Sequence, residues 1–254
     1  MSILQSIVAN TKAKLIHKKE ELSLKQIKSS LEDLDLPRGR FKDNISNKDE
    51  AIIAEIKKAS PSAGVIVEEF DPAKKAIEYE AFGASALSIL TEEDFFMGSN
   101  DYLKNVKKIT ALPILRKDFM IDEYQIYESK LIGADCILLI TSILSDQQIE
   151  DFVNIAKKLQ LDYLIEVHSE NELRRVEHFE DALIGANNRD LKTFEVDLNN
   201  SVRLRNLFKQ KNIFIAESGI KSREDMNYLK KFPKSNLDQS KLIARSIINL
   251  PSNF

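Results

Sequence analysis

Ile52-Ile53-Ala54-Glu55-Ile56-Lys57-Lys58-Ala59-Ser60-Pro61-Ser62-Ala63-Gly64 is the stretch that decides the fold. Its first half is an apolar, β-rich run. Its second half is a turn carrying hydroxyls, a proline and a glycine. Side chains alternate faces along a strand, so Ile53, Glu55 and Lys57 share one side. An acid and a base therefore point the same way at the carboxyl end of an otherwise apolar strand. The structural alternative is an edge strand with a solvated Glu-Lys pair, but the run before the pair is too hydrophobic for an exposed edge.

Working outward, similar runs recur at intervals of roughly 20–35 residues, the length of a strand, a helix and two loops. Counting Ile52–Lys57 first, the others are Ala86–Leu90, Ile114–Lys117, Cys136–Ile140, Tyr163–Val167, Leu183–Asn187, Ile213–Glu217 and Lys241–Ala244. Strands alternating with helices in this number predict an α/β chain folded as a (β/α)8 TIM barrel. An open doubly wound sheet would call for a glycine-rich first turn, and the chain has neither G-x-G-x-x-G nor a Walker motif. Tyr79–Leu90 resembles Tyr127–Ile140: a helix end, a Gly-Ala turn and a buried strand, with glycine fitting the left-handed position that closes a helix. Gly185 falls inside the sixth strand, where a side chain is expected to be excluded from the barrel interior.

Residues 1–45 carry no strand signal. Ile3, Leu4, Ile7, Val8, Leu15 and Ile16 have approximate helical spacing, and a second helix is expected over Leu24–Leu34, before Pro37. This segment reads as a helical N-terminal extension packed on the barrel, with 46–254 as a single catalytic domain. The 254 residues fit one such barrel, and 43% apolar content supplies its core. A net charge of -3 argues against nucleic acid as the partner. No run approaches a membrane span, and the apolar start is too short for a signal peptide. The single cysteine, Cys136, permits no internal disulfide and reads as a small core residue; a cytoplasmic location follows as the expectation.

In a barrel of this kind the active site lies at the carboxyl ends of the strands. Those ends carry Glu55, Lys57 and Ser60 on the first strand, and Thr91 with Phe95 and Phe96 on the second. Lys117, Asp118 and Phe119 follow the third, and Glu166 and His168 the fifth. Asn187, Asn188 and Arg189 end the sixth, and Glu217, Ser218 and Gly219 the seventh. Parity puts Leu115 with Lys117, Leu164 with Glu166, Leu183 with Asn187 and Ile215 with Glu217 on one face. Three acids and three bases in one mouth hold both proton donors and acceptors, and the cations suit an anionic substrate. The Ser218-Gly219 turn offers backbone N–H groups for a phosphate. Phe96 and Phe119 are placed to sandwich an aromatic ring. The histidines lack ligand spacing, so His168 and His178 read as structural. Each feature has a plainer reading taken alone: Lys57 with Glu55, or Lys117 with Asp118, as loop-orienting ion pairs; Phe119 as core; Arg189 with Asp190 as a helix-capping pair.

The strings Ile53–Gly64, Ser88–Ser99, Pro113–Glu128, Leu164–His168, Ile184–Phe194 and Glu217–Ile220 resemble the indole-3-glycerol-phosphate synthase family, and the likeness extends through most of the chain. The resemblance implies a barrel that converts 1-(2-carboxyphenylamino)-1-deoxyribulose 5-phosphate to indole-3-glycerol phosphate, CO2 and water in tryptophan biosynthesis. It implies no cofactor and no metal. It implies Lys117 as general acid, Glu166 in the proton transfers of dehydration, and Lys57 either binding the substrate carboxylate or acting as a second acid. Glu55, Asn187 and Glu217 are implied to hold ribulose hydroxyls, Phe96 and Phe119 the anthranilate ring, and Arg189 its polar groups. Ser60, Ser218 and Gly219 are implied to hold the phosphate.

One region departs from the pattern. The eighth strand is approached by Phe232-Pro233-Lys234-Ser235-Asn236, and Ala244, followed by Arg245, stands where the family has a phosphate-binding glycine. The expected partner is a small phosphorylated molecule, with the chain a monomer or weak homo-oligomer. The competing readings are an isomerase of another phosphosugar, which needs one base and no aromatic wall, and a ligand-binding barrel without turnover.

Overall fold

The computed structural model describes residues 2–230, except 33, 49, 191 and 192, together with the strands Leu242–Ala244 and Ser246–Ile248. Three helices precede the first strand: α1 (Ile3–Glu21), α2 (Leu24–Glu32) and α3 (Phe41–Ser46). The barrel strands then run β1 (Ile53–Ile56), β2 (Ala86–Leu90), β3 (Ile114–Lys117), β4 (Cys136–Ile140), β5 (Asp162–Val167), β6 (Leu183–Asn187), β7 (Phe214–Glu217), β8 (Leu242–Ala244) and β9 (Ser246–Ile248). Between them lie α4 (Pro72–Ala81), α5 (Asn100–Lys107), α6 (Glu123–Leu131), α7 (Asp146–Lys158), α8 (Glu170–Val176), α9 (Asn199–Leu207) and α10 (Arg223–Lys230).

All pairings in this sheet are parallel, in the order β8-β7-β6-β5-β4-β3-β2-β1-β9. Residues 242–244 pair with Phe214–Ala216, and 246–248 pair with Ile53–Glu55. One stretch of chain thus joins the two free edges and closes the barrel, which removes the exposed edges an open sheet would present. Of the expected eighth strand, Lys241–Ala244, Lys241 lies outside the described residues and Leu242–Ala244 is only the half that pairs with β7. Phe232–Asn236 and Arg245 lie outside the described residues.

Local sequence explains the alternation. Helices α4 to α8 open on Asp71, Ser99, Asp122, Ser145 and Ser169, whose side chains each accept from a backbone N–H of the first turn. Gly83 and Gly133 follow α4 and α6 with φ of 83° and 92°, the left-handed closure expected of them. Inside the barrel, Ile53, Leu115, Leu138, Leu164, Leu183 and Ile215 form one cluster. Alternate residues face the helices. The parity read from sequence is the parity observed.

The extension packs on the barrel flank. Ile7, Thr11 and Leu15, one turn apart, are the buried face of α1, while Ile16 is exposed. Leu15 and Ile27 pack with Tyr124 and Tyr127 of α6. Helix α3, which no sequence signal announced, places Phe41 and Ile45 beneath the barrel cluster. Among the described residues, no helix is long and apolar enough to cross a membrane. Cys136 is buried in the barrel, and burial pushes its thiol well up.

Between β3 and α6 lies a charged core. Arg116, 1% exposed, donates to Thr91 Oγ1 at 3.0 Å, Ser129 Oγ at 3.1 Å, Asp118 Oδ2 at 3.0 Å and Glu128 Oε2 at 2.7 Å. Thr91 thus faces outward, serving this network rather than the mouth. Removing one partner of a buried pair leaves the other charge uncompensated, at about 3–5 kcal/mol. Arg116→Met is expected to lose about that much stability in urea unfolding. An unchanged midpoint would show the network to be dispensable.

Candidate active site

At the carboxyl end of the barrel the inward-facing charges converge. Lys57 Nζ lies 2.7 Å from Glu55 Oε1, two residues back on the same face. Lys117 Nζ donates to Glu217 Oε2 at 3.0 Å and lies 3.8 Å from Glu166 Oε2 and 3.9 Å from Glu55 Oε2. Four strand ends therefore meet on one ammonium group. Asn187 Nδ2 donates to Glu166 Oε1 at 3.1 Å, and its Oδ1 accepts the Arg189 N–H at 3.0 Å. The three acids are buried, each 3% exposed, so the cluster is largely out of water.

Burial works against the charge on Lys117, but Glu217, Glu166 and Glu55 outweigh it and hold its pKa well above the ordinary lysine range. Burial raises the Glu217 carboxyl; Lys117 opposes that rise, and Glu166 and Glu55 add to it. The proposed alternative pair, Lys117 with Asp118, does not form. Asp118 is committed to Arg116, Thr91 and the Phe119 N–H on the other side of the strand.

These groups line a cavity of about 200 Å³ that also takes in Ser60, Phe96, Phe119, Arg189, Ser218 and Gly219. Ser218 and Gly219 both have positive φ, 65° and 80°, a conformation that turns successive N–H groups to one side. The Asn188 amide donates to the Ser218 carbonyl and fixes the turn. Phe96 and Phe119 do not form a sandwich. Their centroids are 5.9 Å apart at 39°, whereas a ring between them would need roughly 7–8 Å, two van der Waals contacts. They make one apolar wall. The Phe96 loop is held by Glu92, whose carboxylate accepts the Phe95 and Phe96 N–H groups at 2.7 and 3.0 Å. Arg189 donates to the Phe194 carbonyl at 3.0 Å, so it braces its own loop as well as lining the cavity.

Ala244 lies in β8 level with Ala216, one residue short of Glu217. Its follower, Arg245, is outside the described residues. Sequence reasoning missed the roof: Ile3, Leu4 and Ile7 of α1 line the cavity. Their apolar spacing was visible, but nothing in it told a cavity wall from a packing face. His168 was set aside as structural, yet its Nε2 lies 3.4 Å from Glu166 Oε1.

A closed parallel barrel with acids and ammonium groups gathered at its strand ends defines a barrel enzyme of the acid–base kind. The indole-3-glycerol phosphate synthase family model matches residues 4–244. An indole-3-glycerol phosphate synthase of Clostridium acetobutylicum is 47% identical over 90% of this chain and 87% of its own length. That of Ruminiclostridium cellulolyticum is 44% identical over 96% and 94%, and that of Acetivibrio thermocellus 52% identical over 73% and 71%. A solved N-acetylmannosamine-6-phosphate 2-epimerase from Clostridium perfringens superposes with a TM-score of 0.58, covering 80% of this chain and 88% of that one; at 12% identity it shares the fold alone. The chain belongs to the indole-3-glycerol phosphate synthase family, a family of carboxy-lyases.

Gly185 is where the site tolerates no side chain. A Cβ there would meet Glu217 Oε1 at 2.1 Å. Gly185→Ala must push Glu217 off Lys117 or strain β6, and overpacking of this kind costs about 1–3 kcal/mol. The expected loss is read from urea unfolding, and a variant as stable as the parent would show that Glu217 has room to move.

Proposed function

We propose that this cavity carries out the family's ring closure, decarboxylation and dehydration of 1-(2-carboxyphenylamino)-1-deoxyribulose 5-phosphate, with Lys117 as the general acid. The observation that carries this reading is the ammonium of Lys117 among three carboxylates, in the same cavity as an aromatic wall and a left-handed Ser-Gly turn. Protonation of the ribulose carbonyl by Lys117 lets the ring carbon attack it. Loss of CO2 then restores the aromatic ring. In the last step a proton leaves the carbon beside nitrogen for Glu166 while the hydroxyl departs as water. The carboxylates keep Lys117 charged at neutral pH, so the acid is always loaded.

Lys57 is read as binding the substrate carboxylate or serving as a second acid, and Glu55, Asn187 and Glu217 as holding ribulose hydroxyls. Phe96 and Phe119 support the anthranilate ring along one side, with Arg189 at its polar edge. Ser60, Ser218 and Gly219 take the phosphate, with Ala244 and Arg245 as a third contact. The backbone N–H groups of Ala244 and Arg245 are the donors proposed there, so the alanine methyl need not block the contact. The same reading places the chain in the cytoplasm as a monomer or weak homo-oligomer, and a buried, unreactive Cys136 suits a reducing compartment.

Indole fluorescence appearing on incubation with the carboxyphenylamino substrate tests the reaction. General acid catalysis is typically worth about 10²–10⁴-fold, so Lys117→Ala is expected to lose that much turnover with its circular dichroism unchanged. Near-parental turnover would remove Lys117 from the chemistry. Phe96→Ala and Phe119→Ala should each raise KM for the substrate while leaving inorganic phosphate affinity unchanged. If both keep the parental KM, the wall does not hold the ring.

A further inference from the structure

His168 stands two residues beyond Glu166, at the rim of the mouth, with its side chain 15% exposed and both ring nitrogens buried. Each nitrogen faces a carboxylate oxygen. Nε2 is 3.4 Å from Glu166 Oε1, and Nδ1 is 3.4 Å from Glu172 Oε2. Both contacts are within ion-pair distance but lack hydrogen-bond angles, so the ring is wedged between two carboxylates.

Glu172 is fixed on its own account. Its Oε2 accepts the His168 backbone N–H at 2.7 Å and lies 2.9 Å from the Thr141 hydroxyl, which in turn donates to the Glu166 carbonyl at 2.8 Å. A neutral imidazole has one N–H and one lone pair. In this slot it would set a lone pair against a carboxylate whichever tautomer it took. The imidazolium presents an N–H to each carboxylate.

From this geometry we propose that His168, as the imidazolium, is a positioning residue for Glu166. It clamps Oε1 from outside the cavity and leaves Oε2 as the oxygen that exchanges a proton with the substrate. The inference rests on the assignment of Glu166 to the dehydration step. Oε1 faces His168 and accepts the Asn187 amide at 3.1 Å, whereas Oε2 lies 3.8 Å from the Lys117 ammonium. During dehydration the C–H bond beside nitrogen breaks toward Oε2. Its electron pair becomes the new C=C bond, and the hydroxyl leaves as water with a proton from Lys117, whose amine takes up a proton from solvent after ring closure. A carboxylate free to rotate would present either oxygen, at a cost in orientation.

The charged groups around the ring agree. Glu166 comes from β5, Glu172 from α8 and Glu217 from β7. Asn200 of α9 donates to the His168 carbonyl. Lys117 of β3 lies beyond Glu166, and Arg189 and Arg203 line the outer cavity that His168 also borders. Burial works against the imidazolium, but Glu172, Glu166 and Glu217 outweigh it and raise its pKa above 6.5, while Glu172 is held below the usual carboxylate range, its own burial outweighed by His168 and Thr141. The clamp is thus complete on the acid side of the raised value and is lost as pH rises through it.

The test has two arms. In the first, kcat is measured against pH. The parent should lose kcat on the alkaline side, and His168→Gln, which donates without titrating, should lack that limb. His168→Ala should lower kcat roughly 10–100-fold with KM within about twofold. An unchanged profile in His168→Gln, or parental kcat in His168→Ala, overturns the proposal. The second arm needs no turnover. The chain has three histidines, so their imidazole resonances can be followed singly. His168 should titrate above 6.5 in the parent and at lower pH in Glu166→Gln and Glu172→Gln; a value that neither substitution moves refutes the clamp. A parent without synthase turnover would refute the functional reading, and the resonance titration would then decide the clamp alone.

Discussion

A lysine ammonium among three buried carboxylates is the constraint on which the rest of this structure depends. Three buried carboxylates around one partly buried ammonium are tolerable only if the charges are close, fixed and opposed. Here each carboxylate comes from a different strand: Glu55 from β1, Glu166 from β5 and Glu217 from β7, with Lys117 from β3 between them. No local segment could assemble this set. It needs a closed sheet in which alternate strands aim inward at the same height. Closure by the paired stretches 242–244 and 246–248 supplies it. The arrangement also has a chemical cost. Holding Lys117 protonated makes it a weaker acid, since transfer is best with a pKa near the working pH. In the proposed general-acid role, proximity to the bound substrate would offset that.

The two faces of β3 show how the charge is kept in place. Lys117 points inward; Arg116, its neighbour, points outward into the layer between sheet and α6. There it finds Asp118 and Glu128, with Thr91, Ser129 and the Gln125 carbonyl accepting its other N–H groups. One strand end thus carries two cations in opposite directions, each saturated by its own acids. Neither can borrow the other's partner. The Phe119 N–H bonds Asp118 Oδ1, so the outward network also sets where the aromatic wall begins. Gly185 completes the arrangement by absence: the space of one methyl group is taken by Glu217 Oε1.

Much of this was legible because its causes are local. Buried parallel strands are short apolar runs, and period two assigns their faces. The positions of Glu55, Lys117, Glu166 and Glu217 followed from parity and from the rule that barrel sites lie at strand ends. What escaped depends on distances between elements. Thr91 sits at a strand end like the others, yet its parity is outward, and Arg116 claims it. Phe96 and Phe119 are correctly placed in the cavity but touch one another, because the Glu92-bound turn brings one ring across to the next strand. His168 looked structural because a lone histidine has no spacing to read; its meaning lies in Glu172, four residues on, and in Glu166, two residues back. Helix α3 is short, and short helices carry little periodic signal.

The N-terminal extension shows the same limit. Its apolar residues at positions 3, 4 and 7 read as a packing face, and Leu15 does pack, against α6. The first turns do something else. Ile3, Leu4 and Ile7 roof the cavity beside the strand ends. What holds them there is polar. Lys14 meets Glu93 and Asp94 at 2.7 Å each, and Asn10 donates to Asp94, so α1 is tied to the loop that carries Phe96. Such half-exposed pairs add little stability. Their worth is in register: they set which turn of α1 faces the mouth, and so bring the roof and the aromatic wall to the same cavity. A helix read as an appendage is thereby part of the chamber that Lys117 lines.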